Sequence, residues 1–144
     1  MNKFIIRGGK SLTGTIQASG SKNAALPLLA ATLLTSQECV LKNIPDVVDV
    51  RLMLEILEKI GAEYSFQKNI VKIQTKKIKT TKIEPELAEK MRASILFIGP
   101  LLARAGKAEI AFPGGCVIGK RSIHAHAYAF EKLNCRNKST DNIL

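Results

Sequence analysis

The chain repeats itself, and this limits what it can fold into. Displaced by 68 residues, SKNAALPLLAATLLTSQECVLKNIP (Ser21 to Pro45) falls without a gap on EKMRASILFIGPLLARAGKAEIAFP (Glu89 to Pro113). Lys22 meets Lys90, Ala25 meets Ala93, Leu33-Leu34 meet Leu101-Leu102, and Pro45 meets Pro113. Each copy reads as an apolar helix followed by a short strand that ends at proline, which cannot donate to a strand ladder. The next element recurs too: LEKIG, Leu57 to Gly61, resembles FEKLN, Phe130 to Asn134, at an offset of 73. The second copy therefore carries 73 − 68 = 5 extra residues between its strand and its second helix, within PGGCVIGKRS, Pro113 to Ser122. Loops added to a rigid scaffold are where function concentrates.

The pattern predicts strands at Phe4 to Arg7 and Thr15 to Ala18, then a helix over Lys22 to Leu34 with Ser21 as its N-cap. Pro27 should tighten or kink that helix. A strand follows at Cys39 to Lys42, then a helix from Val47 to Ile60, capped by Asp46 and stopped by Gly61. Tyr64 to Phe66 and Ile70 to Ile73 read as a hairpin turning at Lys68-Asn69. The second copy opens with helix Pro85 to Ala103 and strand Ala108 to Phe112. Its second helix is His124 to Leu133, with Asn134 in the stopping place of Gly61. The order strand, helix, strand, helix, strand, strand, then again, is an α/β (mixed α+β) repeat architecture with helices packed on sheets. Repeat one covers about 21–75 and repeat two about 85–144; the tail RNKSTDNIL lacks hairpin alternation, so the second repeat reads as cut short.

Composition narrows the function classes. The 144 residues are 46% hydrophobic, enough to form a core, and fit one domain or part of a larger one. Lys and Arg number 22 against 12 acids, a net charge of +10, which favours anionic partners. Much of that excess is the lysine series in KNIVKIQTKKIKTTK, whose alternation reads as a solvated strand face. No aromatic residues lie in it for base stacking, so a basic RNA-binding module is the weaker reading. Three cysteines, with no CxxC or Cys/His spacing, point to free thiols in a reducing cytoplasm and to no metal site. His124 and His126, two residues apart on a helix, face different ways. No signal peptide or membrane span is expected.

Three places could carry chemistry. GSKNAA, Gly20 to Ala25, sets Lys22 and Asn23 at a helix N-terminus, where free N–H groups attract anions; an ordinary capped helix with a solvated lysine fits the same residues. Arg92 sits beside an apolar face, where an arginine more often makes structural contacts. Cys116 stands on a glycine-rich loop beside Lys120 and Arg121, cations that lower a thiol's pKa. Cys39 and Cys135 fit small buried hydrophobes better.

SKNAALP, MRAS in a helix and PGGCVIGKR together resemble, in order from about Ile5 to Leu133, the N-terminal part of the UDP-N-acetylglucosamine enolpyruvyl transferase (1-carboxyvinyltransferase) family. The resemblance implies an inverse-barrel fold of βαβαββ units in two domains. Residues 1–20 would be strands of the other domain, and 21–144 a partial enolpyruvyl transferase domain. It implies transfer of enolpyruvyl from phosphoenolpyruvate to the 3′-hydroxyl of UDP-N-acetylglucosamine, with release of phosphate, in peptidoglycan precursor synthesis. No cofactor, metal, nucleic acid or membrane takes part. It assigns Cys116 as proton donor and as the thiol alkylated by fosfomycin. By the same resemblance Lys22, Asn23 and Arg121 would bind phosphoenolpyruvate, and Asn23, Arg92 and Arg121 the sugar nucleotide. Where the family has close to RPVD, this chain has Arg121-Ser122-Ile123-His124, and loss of the proline predicts a looser turn. The family's catalytic aspartate and second domain have no counterpart in these residues, so an inactive fragment is the alternative reading.

Overall fold

The computed structural model describes residues 3–114 and 122–138. Helix α1 spans Lys22–Ala31 and tightens into a 3₁₀ turn at Thr32–Leu34. Strand β1, Cys39–Leu41, leads to α2, Val48–Ile60, and to the hairpin of β2, Glu63–Gln67, and β3, Ile70–Gln74. The second copy runs β4, Lys82–Ile83; α3, Pro85–Ala88; a 3₁₀ segment, Arg92–Phe97; α4, Ile98–Ala105; β5, Glu109–Ile110; and α5, His124–Lys132.

The hairpin forms where expected, because Lys68 (φ 48) and Asn69 (φ 61) both adopt the left-handed region that a tight two-residue turn requires. β3 is central in a three-stranded antiparallel sheet, with Val71 opposite Leu41 and Phe66. Its Val71 and Ile73 are buried while Lys72 is exposed, the alternation of a one-sided sheet. β4 and β5 pair in parallel, Ile83 opposite Ile110. α1 packs on α2 and on the Arg92–Phe97 segment, and Thr32–Leu34 packs on α4. The two copies thus share one core, in which Leu29, Leu33, Leu57, Phe97 and Leu101 have no exposed surface.

Several expectations need correction. Residues 3–19 form neither helix nor strand, and Phe4 and Leu12 are each 96% exposed. A strand exists through its ladder, and no described residue pairs with Phe4 to Arg7 or Thr15 to Ala18. Asp46 does not cap α2: Val47 occupies the N-cap without a side-chain bond, and the Asp46 carboxylate instead accepts from Arg51 Nε and a terminal nitrogen, both at 2.6 Å. That hydrogen bond, with the attraction of the charge, raises the Arg51 pKa. The expected helix from Pro85 to Ala103 is three pieces. Pro100 has no N–H for the Leu96 carbonyl, so an α-ladder cannot run through it, and the chain upstream tightens to 3₁₀. Pro27 has the same defect, yet α1 stays continuous: the deprived carbonyl is that of Asn23, in an exposed first turn that water reaches. Ser21, Gly61 (φ 120) and Asn134 (φ 61) do as expected.

Candidate functional site

Lys22 and Asn23 are the first two residues of α1. The Ser21 hydroxyl accepts the Ala24 N–H at 3.3 Å and fixes where the helix begins. Gly20 lets the chain arrive there: a Cβ on it would lie 1.7 Å from the Asn43 carbonyl oxygen. Both side chains are exposed, but Lys22 is not unpaired. Its Nζ lies 2.6 Å from Asp49 Oδ2, in the first turn of α2.

Arg92 begins the 3₁₀ segment that packs on α1, so it lies on an element in contact with the one carrying Lys22 and Asn23. It donates to the Ser122 carbonyl at 2.8 Å. On the other side of 115–121, the Gly114 N–H donates to the Ala88 carbonyl at 3.3 Å. A Cβ at Gly114 would stand 2.0 Å from the Glu89 carbonyl oxygen, so only glycine fits. The corner Ala88 to Arg92 therefore holds both stems of the glycine-rich stretch. Buried Ser94 braces that corner, its hydroxyl shared between the carbonyls of Met91 (2.8 Å) and Ala88 (3.0 Å). Cys116, Lys120 and Arg121 lie outside the described residues.

A side-chain bond stands at the turn after the stretch. Ser122 Oγ accepts the His124 N–H at 3.0 Å, a serine turn just before α5 that proline has no hydroxyl to provide. Cys39 and Cys135 are half-buried, and Cys39 packs against the core. Among the described residues no group of three or more His, Cys, Asp or Glu could hold a metal ion. A cavity of about 520 Å³ opens between α4, β5, α5 and the following residues, with His126 on its wall; of the described candidates Lys22, Asn23 and Arg92, none lines it.

Residues 6–143 match the EPSP synthase (3-phosphoshikimate 1-carboxyvinyltransferase) family. The chain belongs to that family. Among curated relatives, the UDP-N-acetylglucosamine 1-carboxyvinyltransferase of Treponema denticola is 50% identical over 143 residues, 99% of this chain and 34% of its own length. The enzyme of the same name from Methylacidiphilum infernorum is 52% identical over 133 residues, 92% of this chain and 31% of its own. This EPSP synthase family chain thus spans about a third of the length of the curated relatives it matches. The crystal structure of the enolpyruvyl transferase NikO from Streptomyces tendae superposes with a TM-score of 0.62 at 23% identity, covering 71% of this chain and 24% of that one, a likeness of fold. The α/β architecture is therefore that of the enolpyruvyl transferases. Among the described residues of this family member, no helix is long and apolar enough to cross a membrane.

Sequence reasoning missed two residues around the candidates. Asp49 carried a signal, an acid in the first turn of a helix, but its reach to Lys22 is a tertiary fact. Ser122 carried one too, a hydroxyl just before a helix, but its bond to the His124 N–H depends on how the chain turns there.

Proposed function

We propose that this chain is the N-terminal part of an enzyme that moves enolpyruvyl from phosphoenolpyruvate to the 3′-hydroxyl of UDP-N-acetylglucosamine and releases phosphate, in the making of peptidoglycan precursors. The observation that carries the reading is the 50% identity, over 99% of this chain, to a protein of that activity by name. The site supports it: both substrates are polyanions, and Lys22 and Arg92 stand on two elements packed together. Lys22 and Asn23 bind phosphoenolpyruvate, Asn23 also reaching the sugar nucleotide together with Arg92. Arg121 meets the phosphate. Cys116 gives its proton to the methylene carbon as the 3′-oxygen, giving up its own proton to a base of the whole enzyme, bonds to the neighbouring carbon; loss of phosphate then restores the double bond, and a proton leaves from the methyl carbon. Residues 1–20 belong with the other domain of the enzyme, and residues 21–144 with this one. The setting is the cytoplasm.

Fosfomycin treatment followed by peptide mass mapping tests the thiol. An adduct on Cys116, formed faster with UDP-N-acetylglucosamine present, supports the reading; a thiol unreactive in both conditions refutes it. Turnover is a separate matter. The family's catalytic aspartate and second domain have no counterpart among these 144 residues. The chain alone is therefore expected to release no phosphate, and release that depends on both substrates would overturn the inactive-fragment reading.

A further inference from the structure

We infer that Asp49 is a positioning residue for the Lys22 ammonium, a role that rests on the proposed binding of phosphoenolpyruvate at Lys22. Lys22 Nζ and Asp49 Oδ2 are 2.6 Å apart, with 50% and 34% of their side chains exposed. The two residues start different helices. Lys22 is the first residue of α1, whose first turn holds no acid, and Asp49 is the second residue of α2. A cation at a helix N-terminus opposes the helix dipole, whereas an acid there complements it. Lys22 is thus in an unfavourable place for α1, and Asp49 in a favourable one for α2. Their contact offsets the first with the second, because α1 and α2 pack with these ends adjacent.

The consequence for a ligand follows from the shape of an ammonium. Nζ has three N–H donors, and one carboxylate oxygen at 2.6 Å engages one of them. The exposed half of the side chain leaves the others available to an incoming phosphate or carboxylate. A lysine on its own is a flexible stem whose rotamers must be frozen when an anion binds. Asp49 freezes them beforehand, and a carboxylate with about a third of its side chain exposed repels the incoming anion weakly, since solvent still reaches and screens it. Ordering one such side chain accounts for a severalfold change in affinity.

The test is phosphoenolpyruvate binding by the 144-residue chain, followed by NMR titration that includes the lysine NH₃⁺ signals. Asp49→Ala is expected to weaken binding about threefold to tenfold, while Asp49→Glu stays within about twofold of the original chain. Lys22→Ala in the Asp49→Ala background adds little to the loss. Unchanged or tighter binding by Asp49→Ala overturns the positioning role while leaving the functional reading in place, because an acid that only repels would give that result. No binding by the original chain overturns the positioning role together with the binding of phosphoenolpyruvate at Lys22 by this chain, while the Cys116 adduct still tests the functional reading. Circular dichroism of each variant separates a lost position from a lost fold.

Discussion

The Arg104 guanidinium, on the last turn of α4, donates to the Thr75 carbonyl at 2.5 Å, where the chain leaves β3. The same side chain donates to the carbonyls of Lys76 (3.0 Å), Leu33 (3.0 Å) and Thr35 (2.9 Å). One cation from the second repeat thus satisfies three acceptors of the first and a fourth just beyond its end. The planar fork of arginine permits this, and the compact ammonium of lysine does not. Arg104→Ala is expected to cost about 2–4 kcal/mol in urea unfolding, and Arg104→Lys to recover less than half of that.

Close backbone approach gives a second expectation. Gly20→Ala and Gly114→Ala each drive a methyl into a carbonyl oxygen, of Asn43 and Glu89 respectively. Each is expected to cost about 2–3 kcal/mol, since backbone must move. Gly99→Ala, in α4 with open space around its Cα, is the control; it should stabilise by about 0.5 kcal/mol through helix propensity. Thermal unfolding of the three variants checks the ordering.

Ser94→Ala removes the hydroxyl shared by the Ala88 and Met91 carbonyls in a position with no exposed surface. The expected loss is about 1–3 kcal/mol. Because Ala88 also accepts the Gly114 N–H, amide exchange at Gly114 should speed up together with that of Ser94's own neighbours.

The hairpin turn can be improved. Lys68 has φ 48, a conformation that asparagine tolerates better than lysine, so Lys68→Asn should stabilise by about 0.5–1 kcal/mol. Asn69→Ala should do the opposite by about 2 kcal/mol. It keeps the positive φ of 61 without asparagine's tolerance for it, and it loses the 2.9 Å bond from Nδ2 to the Ile44 carbonyl. Shifts in melting temperature of opposite sign report both.

Ser122→Ala deletes the hydroxyl that accepts the His124 N–H at the start of α5, a helix tied to the core, among the described residues, only by partly buried Phe130 and by Ile123 before it. About 1 kcal/mol of local stability should go with that hydrogen bond, read as faster amide exchange in the first turn of α5 with little change in the global midpoint.

What the sequence determined by itself was the repeat, the order of elements in its first copy from α1 to β3, and the turns. These follow from local rules that repeat with the chain: apolar spacing, Ser21 as a cap, and residues that accept positive φ at Gly61, Asn69 and Asn134. It also marked Lys22, Asn23 and Arg92 by their place in recognisable motifs. Tertiary structure decided the partners. Asp46 reads as a cap until Arg51 is seen to take both of its oxygens, and Asp49 reads as helix decoration until Lys22 is found 2.6 Å away. Phe4 to Arg7 reads as a strand on its own pattern, but pairing is a property of two segments, and none of the described residues supplies the second. Arg104 has no acid beside it to betray its role; its four acceptors are backbone carbonyls, the one group that every sequence carries everywhere and that only the fold can gather.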